Sequence, residues 1–146
     1  MGIKQCLFSE MTGVVNFEGK PAAGVKLVRM VDLNKEIYDE TITDDAGNFH
    51  FPAIYRTSIL SKILPMEFVV AQSITAHFNG KEIEMWNNIK RTPEENTESR
   101  GKPLVVDCDL SQPEFTFISV NNNLIHSLCT WDVEPDPDQA TFLFGE

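Results

Sequence analysis

Short runs in which apolar and polar residues alternate recur along the chain, and Gly, Asn, Asp or Pro separates one run from the next. Alternation at every second position is typical of a β-strand with one buried face. Repeats every 8–12 residues or so favour an antiparallel β-sandwich over any βαβ fold. The predicted strands cover residues 12–17, 25–31, 36–43, 48–51, 67–78, 81–89, 104–110, 114–120, 124–133 and 141–144.

Two segments break the alternation. Between residues 55 and 64, four apolar residues recur at helical spacing before Pro65, which predicts one short helix between the fourth and fifth strands: Ile59, Leu60, Ile63 and Leu64. Residues 91–103 are polar and hold two prolines, so we expect an exposed, mobile loop there.

The pattern also predicts which side chains share a face. In the third strand we expect Ile37 and Ile42 to contact the core. In the strand that follows Asn79-Gly80, strict alternation puts Trp86 on the same face as the acidic residues Glu82 and Glu84. Asn-Gly is itself the preferred dipeptide of a tight type I′ hairpin.

At 146 residues the chain has the length of one ordinary domain, and we expect a single β-sandwich over residues 1–146. The formal net charge is −10, and all 12 Lys and Arg lie in residues 1–102. Residues 103–146 hold only acids: Asp107, Asp109, Glu114, Asp132, Glu134, Asp136, Asp138 and Glu146. Such a field excludes nucleic acid and anionic membranes as partners and steers a basic protein toward this segment.

The cellular location follows from what the chain lacks. No stretch reaches the roughly 18 apolar residues of a membrane span, and residues 1–10 have no apolar signal core. We therefore expect a cytoplasmic protein, with export by a route that needs no such signal as the alternative. The interpretation of the cysteines stays open. Cys6, Cys108 and Cys129 are either three reduced thiols or one free thiol beside a Cys108–Cys129 bridge.

Catalytic and metal-binding patterns are weak. The histidines His50, His77 and His126 each fall inside a predicted strand, and no Gly-x-Ser-x-Gly elbow presents a serine. The late carboxylates lack the Asp-x-Asp-x-Asp-Gly run of a calcium loop, so a solvated acidic face is favoured over weak calcium binding. We therefore expect no enzyme, no metal and no cofactor.

Residues 13–52 carry a recognisable pattern: GVVNFEGKPAAGVKLVRM, a spacer, and then TITDDAGNFHFP. This pattern resembles the carboxypeptidase regulatory-like and transthyretin-like domains, and the opening CLFSE looks like small uncharacterised bacterial proteins of that type. The resemblance implies a transthyretin-like sandwich that serves as an accessory or structural module. It gives fold-defining roles to Gly19, Pro21, Gly24, Asp44, Gly47, Phe49 and Phe51.

The transthyretin-related hydroxyisourate hydrolases share this broad fold and carry a C-terminal Tyr-Arg-Gly-Ser tail. The present chain ends in FLFGE, so that activity is not expected.

Two functions remain. The first is a non-catalytic acidic binding protein, such as an immunity protein that neutralises a basic bacterial toxin, with candidate contacts Trp131, Asp132, Glu134, Asp136 and Asp138. Trp131 is alternatively a plain core residue. The second is an adaptor module that pairs through an edge strand, for which residues 141–144 are the candidate. An enzyme of unfamiliar type is a third and less favoured alternative.

Overall fold

A computed structural model describes residues 3–58 and 68–137 of the chain. The described residues form strands and one 3-10 turn, Thr97–Ser99. The strands are β1 (Ile3–Phe8), β2 (Met11–Phe17), β3 (Lys20–Pro21), β4 (Lys26–Asp32), β5 (Glu36–Ile42), β6 (Asn48–Phe51), β7 (Ile54–Ser58), β8 (Val70–Phe78), β9 (Lys81–Lys90), β10 (Leu104–Asp109), β11 (Thr116–Val120), β12 (Asn123–Ser127) and β13 (Cys129–Trp131).

The described strands form three sheets. The six-stranded sheet has the order β11-β12-β9-β8-β4-β5, and the five-stranded sheet has the order β13-β10-β2-β3 with β6 also paired to β2. A two-stranded sheet joins β1 to β7. Strand pairs in the described residues are antiparallel except β2 with β10, which is parallel. A Cβ added at Gly13 of β2 would lie 2.3 Å from the Val106 carbonyl oxygen, so only glycine fits this close approach.

The two larger sheets pack face to face in a sandwich-like arrangement. Phe17 of β2 contacts Phe78 of β8 with ring centroids 5.3 Å apart, and Trp86 of β9 contacts Trp131 of β13 at 5.2 Å. One cluster of buried apolar side chains, running from Leu7 to Cys129, fills the space between the sheets. Burial of this apolar surface is the main driving force for folding.

Local turn chemistry sets the register of the hairpins. Asn79 and Gly80 both have positive φ, as a type I′ turn requires, and Phe78 pairs directly with Lys81 across it. Asn121 and Asn122 form an equivalent turn between β11 and β12. Asparagine suits these positions because its short polar side chain tolerates the left-handed region.

The turn before β6 is held by one carboxylate. Asp44 Oδ1 accepts hydrogen bonds from the amides of Ala46 and Asn48 at 3.0 and 2.8 Å, while Gly47 has φ 79°. These backbone hydrogen bonds, that of Asn48 above all, hold the pKa of Asp44 below its ordinary value. The turn leads into Phe49 and Phe51, which are buried and meet edge to face at 6.0 Å.

The remaining residues of the motif lie at the β2–β3 hairpin and the turn after it. Gly19 and Gly24 have φ 77° and 71°, and Pro21 lies on β3 opposite Asn16. Neither glycine position is crowded, so both are needed for their backbone conformation and not for close packing.

Four expectations need correction or restriction. The predicted helix over residues 55–64 begins in strand β7, which runs to Ser58, and its remainder lies outside the described residues. Ile37 and Ile42 are 40% and 64% exposed, so the prediction that both contact the core was wrong. They are five residues apart, and positions five apart on a strand point to opposite faces.

Trp86 is fully buried instead of sharing a face with the exposed residues Glu82 and Glu84. A register shift between Ile74 and Thr75 of β8 marks a bulge in the β8–β9 pairing, and this turns Trp86 into the core. Residues 91–103 are not simply exposed, because Glu98 and Ser99 are buried.

Cys108 and Cys129 pair directly across β10 and β13 and form a disulfide, whereas Cys6 is free and buried. Of the two interpretations that the sequence left open, the bridged one is therefore correct in this structure. Both bridged cysteines lie in the core between the two larger sheets.

Candidate binding surfaces

The late acidic segment holds the candidate contact residues between Trp131 and Asp138. Its first residue, Trp131, packs into the molecule. Its ring lies against Trp86, and its Nε1 donates a hydrogen bond to the Glu98 backbone oxygen at 3.1 Å. The side chain is only partly exposed. Of the two interpretations of Trp131, these contacts favour the core residue over the free anchor.

Asp136 is the centre of a hydrogen-bond network. Its carboxylate accepts hydrogen bonds from the hydroxyl of Ser119 at 2.8 Å and from the amides of Asn121 and Asn122 at 2.8 and 3.0 Å. Arg100 Nη2 lies 2.7 Å from the same carboxylate. Burial alone would raise the pKa of Asp136, but the hydrogen bonds and the Arg100 charge together hold it below its ordinary value.

Asp132 and Glu134 remain exposed, and the Asp132 side chain is 92% accessible. Lys102 Nζ lies 3.3 Å from the Asp132 carboxylate. The fold thus brings Arg100 and Lys102, the last basic residues of the sequence, onto the acidic segment and offsets part of its charge. Asp138 and residues 141–144 lie outside the described residues.

A second acidic surface is the outer face of the six-stranded sheet, meaning the side chains that point away from the core. Lys26 and Met30 of β4 lie on this face, because β4 alternates between buried and accessible positions. Their direct cross-strand partners lie on the same face: His77 and Ile42 beside Lys26, and Ser73 and Tyr38 beside Met30. At the described strand positions of this face, Lys26 is the single Lys or Arg. The acids there are five: Asp32, Glu36, Glu40, Glu82 and Glu84.

Some of these charges are partly compensated. Lys26 lies 3.3 Å from Glu40, and His77 lies 3.7 Å from Glu82. Both pairs are well exposed, and exposed pairs of this kind contribute only about 0–1 kcal/mol. Five acids against one lysine leave the outer face with an excess of negative charge that is accessible to a partner.

One row of side chains crosses the outer face from edge to edge. The pairings run Tyr38, Met30, Ser73, Asn87, His126 and Phe117. Its aromatic ends are exposed, Tyr38 by 60% and Phe117 by 44%. Phe117 contacts His126 with ring centroids 4.2 Å apart. Exposed aromatic residues on one face of a sheet are a feature of protein-binding surfaces.

Strand β5 at the edge of this face carries three of the exposed large apolar side chains, Ile37, Tyr38 and Ile42. Sequence reasoning missed this surface, although the segment EIYDETI carried a signal. Apolar residues on both faces together with three acids and no base are unusual for a buried strand and indicate an exposed edge.

A buried polar centre holds residues 91–103 against the end of β1 and against β8, and no sequence pattern predicted it. Glu98 is fully buried, and its Oε1 accepts a hydrogen bond from Ser9 Oγ at 2.7 Å. Gln72 Nε2 lies 3.3 Å from the other carboxylate oxygen of Glu98, and the backbone amide of Asn96 donates to Ser9 Oγ at 2.8 Å. The centre contributes to stability by fixing the loop.

Two ionisable groups flank the polar centre. Lys90 Nζ donates to the backbone oxygens of Thr92 and Glu94, both at 2.5 Å, and burial lowers its pKa below the ordinary value. Burial raises the pKa of the Cys6 thiol, whose Sγ lies 3.9 Å from Ser9 Oγ. A neutral, buried thiol is a poor nucleophile, so Cys6 acts here as a packed side chain.

The histidines have separate partners on different strands. His50 lies 2.9 Å from Glu10, His77 lies near Glu82, and His126 packs on Phe117. Within residues 3–58 and 68–137, no group of three or more His, Cys, Asp or Glu side chains is arranged to hold a metal ion.

Residues 11–113 match a family described as a domain of unknown function, DUF6795. The chain belongs to this family. The matched residues include β4, β5, β8 and β9, whereas Trp131, Asp132, Glu134 and Asp136 lie beyond them. No curated protein and no solved structure shows significant similarity to the chain. In the described residues, no helix is long and apolar enough to cross a membrane.

Proposed function

We propose that the protein is a non-catalytic acidic binding domain whose partner is a protein with a basic surface. In its sharpest form the proposal is an immunity protein that neutralises a basic bacterial toxin or effector. The observation that carries it is the outer face of the six-stranded sheet. Five acids and one lysine surround exposed aromatic and aliphatic side chains there.

Electrostatics supports a basic partner over other classes. A face with excess negative charge raises the association rate of a basic protein and repels nucleic acid. Affinity then comes from a few apolar anchors that become desolvated at the contact. Tyr38 and Ile42, both more than half exposed and adjacent to the acids, suit this role.

The late acidic segment takes a smaller part in this proposal. Asp136 is engaged in the network with Ser119 and Arg100, and Trp131 packs on Trp86. Of the described members, Asp132 and Glu134 remain accessible for steering. We therefore assign the principal contact to the outer face, which lies on strands within the family match apart from β11 and β12.

The finer fold assignment belongs to the same proposal. We infer a sandwich of the transthyretin-like, carboxypeptidase regulatory-like type from the resemblance of residues 13–52, with the Asp44 turn and the buried Phe49 and Phe51 in support. Domains of that type are mostly accessory modules, which agrees with binding in place of catalysis. A cytoplasmic location is also part of the proposal. The Cys108–Cys129 bridge argues against it, because disulfides are rare in that compartment, and a thiol titration of protein from the native cell tests it.

The alternative function is an adaptor module of a larger assembly that acts through edge-strand pairing. The open end of the six-stranded sheet at β5 favours it. Self-association, or co-purification with a large complex, is expected in that case. A monomer with one small stoichiometric partner argues against it.

The deciding experiment compares two variants with equal loss of charge. The first, E36Q/E40Q/E82Q/E84Q, neutralises the outer face. The control, E18Q/D45N/E94Q/E114Q, neutralises four exposed acids elsewhere. Each tagged variant and the wild type is expressed in the native cell, and stoichiometric partners are identified and their binding kinetics measured at two salt concentrations.

We expect wild type and control to retain a partner of basic isoelectric point, and the outer-face variant to associate with it more slowly, most clearly at low salt. Suppression of that partner's toxicity on co-expression would support the immunity form. A stoichiometric partner that is acidic, or that binds the two variants equally, contradicts the proposal.

A further inference from the structure

We propose that the free edge of β5 receives an extended basic segment of the partner, which adds a seventh strand to the six-stranded sheet. This inference rests on the proposed function, because it takes from it a partner with a basic surface. It specifies how that partner is held: by main-chain hydrogen bonds at an edge and by charge at the adjoining outer face.

The backbone of β5 is suited to such pairing. All seven residues, Glu36–Ile42, pair with β4 in continuous register, so the strand is regular along its whole length. It is the last strand of the sheet order, and no described residue pairs with its other edge. At the opposite end of the sheet the chain engages one position of its own edge, where the Asp136 backbone amide donates to the Ser119 oxygen of β11 at 2.7 Å.

The side chains of β5 are those of a strand that can bind another strand at its edge. Proteins protect sheet edges with bulges, prolines, charged side chains or very short strands. β5 has no bulge, proline or lysine, and its three charged side chains are all acidic, so they disfavour an acidic strand but not a basic one. The strand also exposes Ile37, Tyr38 and Ile42 by 40%, 60% and 64%. An accessible, regular and partly apolar edge is a template for another strand.

The negative charge of β5 favours a basic segment over a second copy of the chain as the added strand. The strand holds Glu36, Asp39 and Glu40 and no basic residue. A second copy of the chain would bring the same acids together across the new pairing, and like charges in cross-strand neighbours are destabilising. A segment that alternates Lys or Arg with β-branched residues pairs favourably with Glu36 and Glu40, and one of its cations can lie over the Tyr38 ring.

The edge is also held in place before any ligand arrives. Asp39 accepts two hydrogen bonds from the buried Arg29 guanidinium, at 2.8 and 2.6 Å, which ties the middle of β5 to the core. A rigid strand loses little conformational entropy on pairing, and preorganisation of this kind strengthens binding.

The test uses a fluorescent synthetic peptide of the length of β5, with Lys or Arg at alternate positions and Thr or Val between them. A second peptide carries Glu in place of each basic residue. A third keeps the basic sequence but is N-methylated at consecutive amides, which removes the donors of both its edges. Binding to the full chain is measured by anisotropy, and backbone hydrogen exchange of β5 is measured with and without peptide.

We expect the basic peptide to bind and to slow exchange in β5, and the acidic peptide to fail. N-methylation should weaken binding by about tenfold or more, because several main-chain hydrogen bonds are lost. The variant Y38S/I42S should also weaken it, whereas V105S, which removes an exposed apolar side chain on β10, should not. Equal binding of the methylated peptide, or protection outside β5, overturns the inference.

One competing occupant belongs to the chain itself, residues 59–67, which include Ile59, Leu60, Ile63 and Leu64. If the basic peptide binds only after these four residues are replaced by Ser, that segment covers the edge and the inference is wrong. The failures are distinguishable. If the methylated peptide binds equally but the outer-face variant still loses the native partner, the proposed function stands and only the edge mode is rejected.

Discussion

The buried guanidinium of Arg29 on β4 donates two parallel hydrogen bonds to the carboxylate of Asp39, its direct cross-strand neighbour on β5. Arg29 is fully buried and lies over the rings of Phe8 and Phe51, at 4.9 and 4.5 Å from their centroids. Asp39 is partly exposed. One ion pair thus joins the exposed edge of the sheet to the aromatic core.

Replacement of Asp39 by Asn should destabilise the protein by about 3 kcal/mol, because it leaves a buried guanidinium without its counter-charge. The partial exposure of Asp39 keeps this value at the lower end of the range for buried pairs. Urea denaturation measures the change. The control E40Q alters an exposed neighbour on the same strand and should shift the free energy of unfolding by less than about 0.5 kcal/mol.

The double variant R29M/D39L removes both charges together and should recover most of that loss. Equal stability of D39N and the wild type would show that water reaches Arg29 and that the pair is not the anchor of β5.

The sequence allowed much of the fold to be predicted, because the local signals were strong. The Asn79-Gly80 turn, the Asp44 turn and the burial of Phe49 and Phe51 each follow from residue types whose conformational preferences act over a few positions. Short-range chemistry of this kind needs no knowledge of distant neighbours.

The features that the sequence did not predict depend on contacts between residues far apart in the chain. The bulge opposite Ile74 and Thr75 moves Trp86 to the buried face of the sheet. The sequence of β9 contains no local signal that predicts this bulge. The late acids looked free in the sequence, but Arg100 and Lys102 reach Asp136 and Asp132 only through the fold. Ser9 and Glu98 are 89 residues apart, so no local pattern could connect them.

The Ser9–Glu98 contact leads to the second prediction. Ser9→Ala removes the hydroxyl that donates to Glu98 and accepts from the Asn96 amide, and leaves buried polar groups unpaired. We expect a loss of about 2–3 kcal/mol in the free energy of unfolding and faster backbone exchange over residues 91–103. Thr57→Ala, on an exposed position of β7, is the control. Unchanged exchange in the loop would refute the role of the polar centre.

The cysteines give the third prediction. Unreduced protein unfolded in denaturant should titrate with one thiol, from Cys6, and reduced protein with three. Native protein should react slowly, because Cys6 is buried and its raised pKa keeps it protonated. Three thiols in protein taken unreduced from its native cell would instead support the cytoplasmic, fully reduced interpretation.

The same bridge has a stability consequence. It spans a sequence separation of 21 residues, for which loop-closure entropy predicts a contribution of about 3 kcal/mol. Thermal unfolding with and without reductant measures it, and C108S/C129S should match the reduced protein. If the reductant also lowers the melting temperature of that variant, the effect does not come from the bridge.

The Asp136 network gives the last prediction, a stability that depends on pH. The folded-state pKa of Asp136 lies below its ordinary value of about 3.9, so the native state binds this proton less tightly than the unfolded state. The contribution is fully present above the unfolded pKa and is lost as the pH falls through the folded one. Asp136→Asn should therefore cost about 2 kcal/mol at pH 7, through weaker hydrogen bonds from Ser119, Asn121 and Asn122.

Below about pH 4 the difference between Asp136→Asn and the wild type should shrink steadily, because the wild-type carboxylate becomes protonated as well. Urea denaturation over a pH series measures this. Asp132→Asn makes the same change of charge at a side chain that is 92% exposed, and its stability difference should stay small at every pH. A difference for Asp136→Asn that does not vary with pH would mean that the network depends on shape and not on the ionised carboxylate.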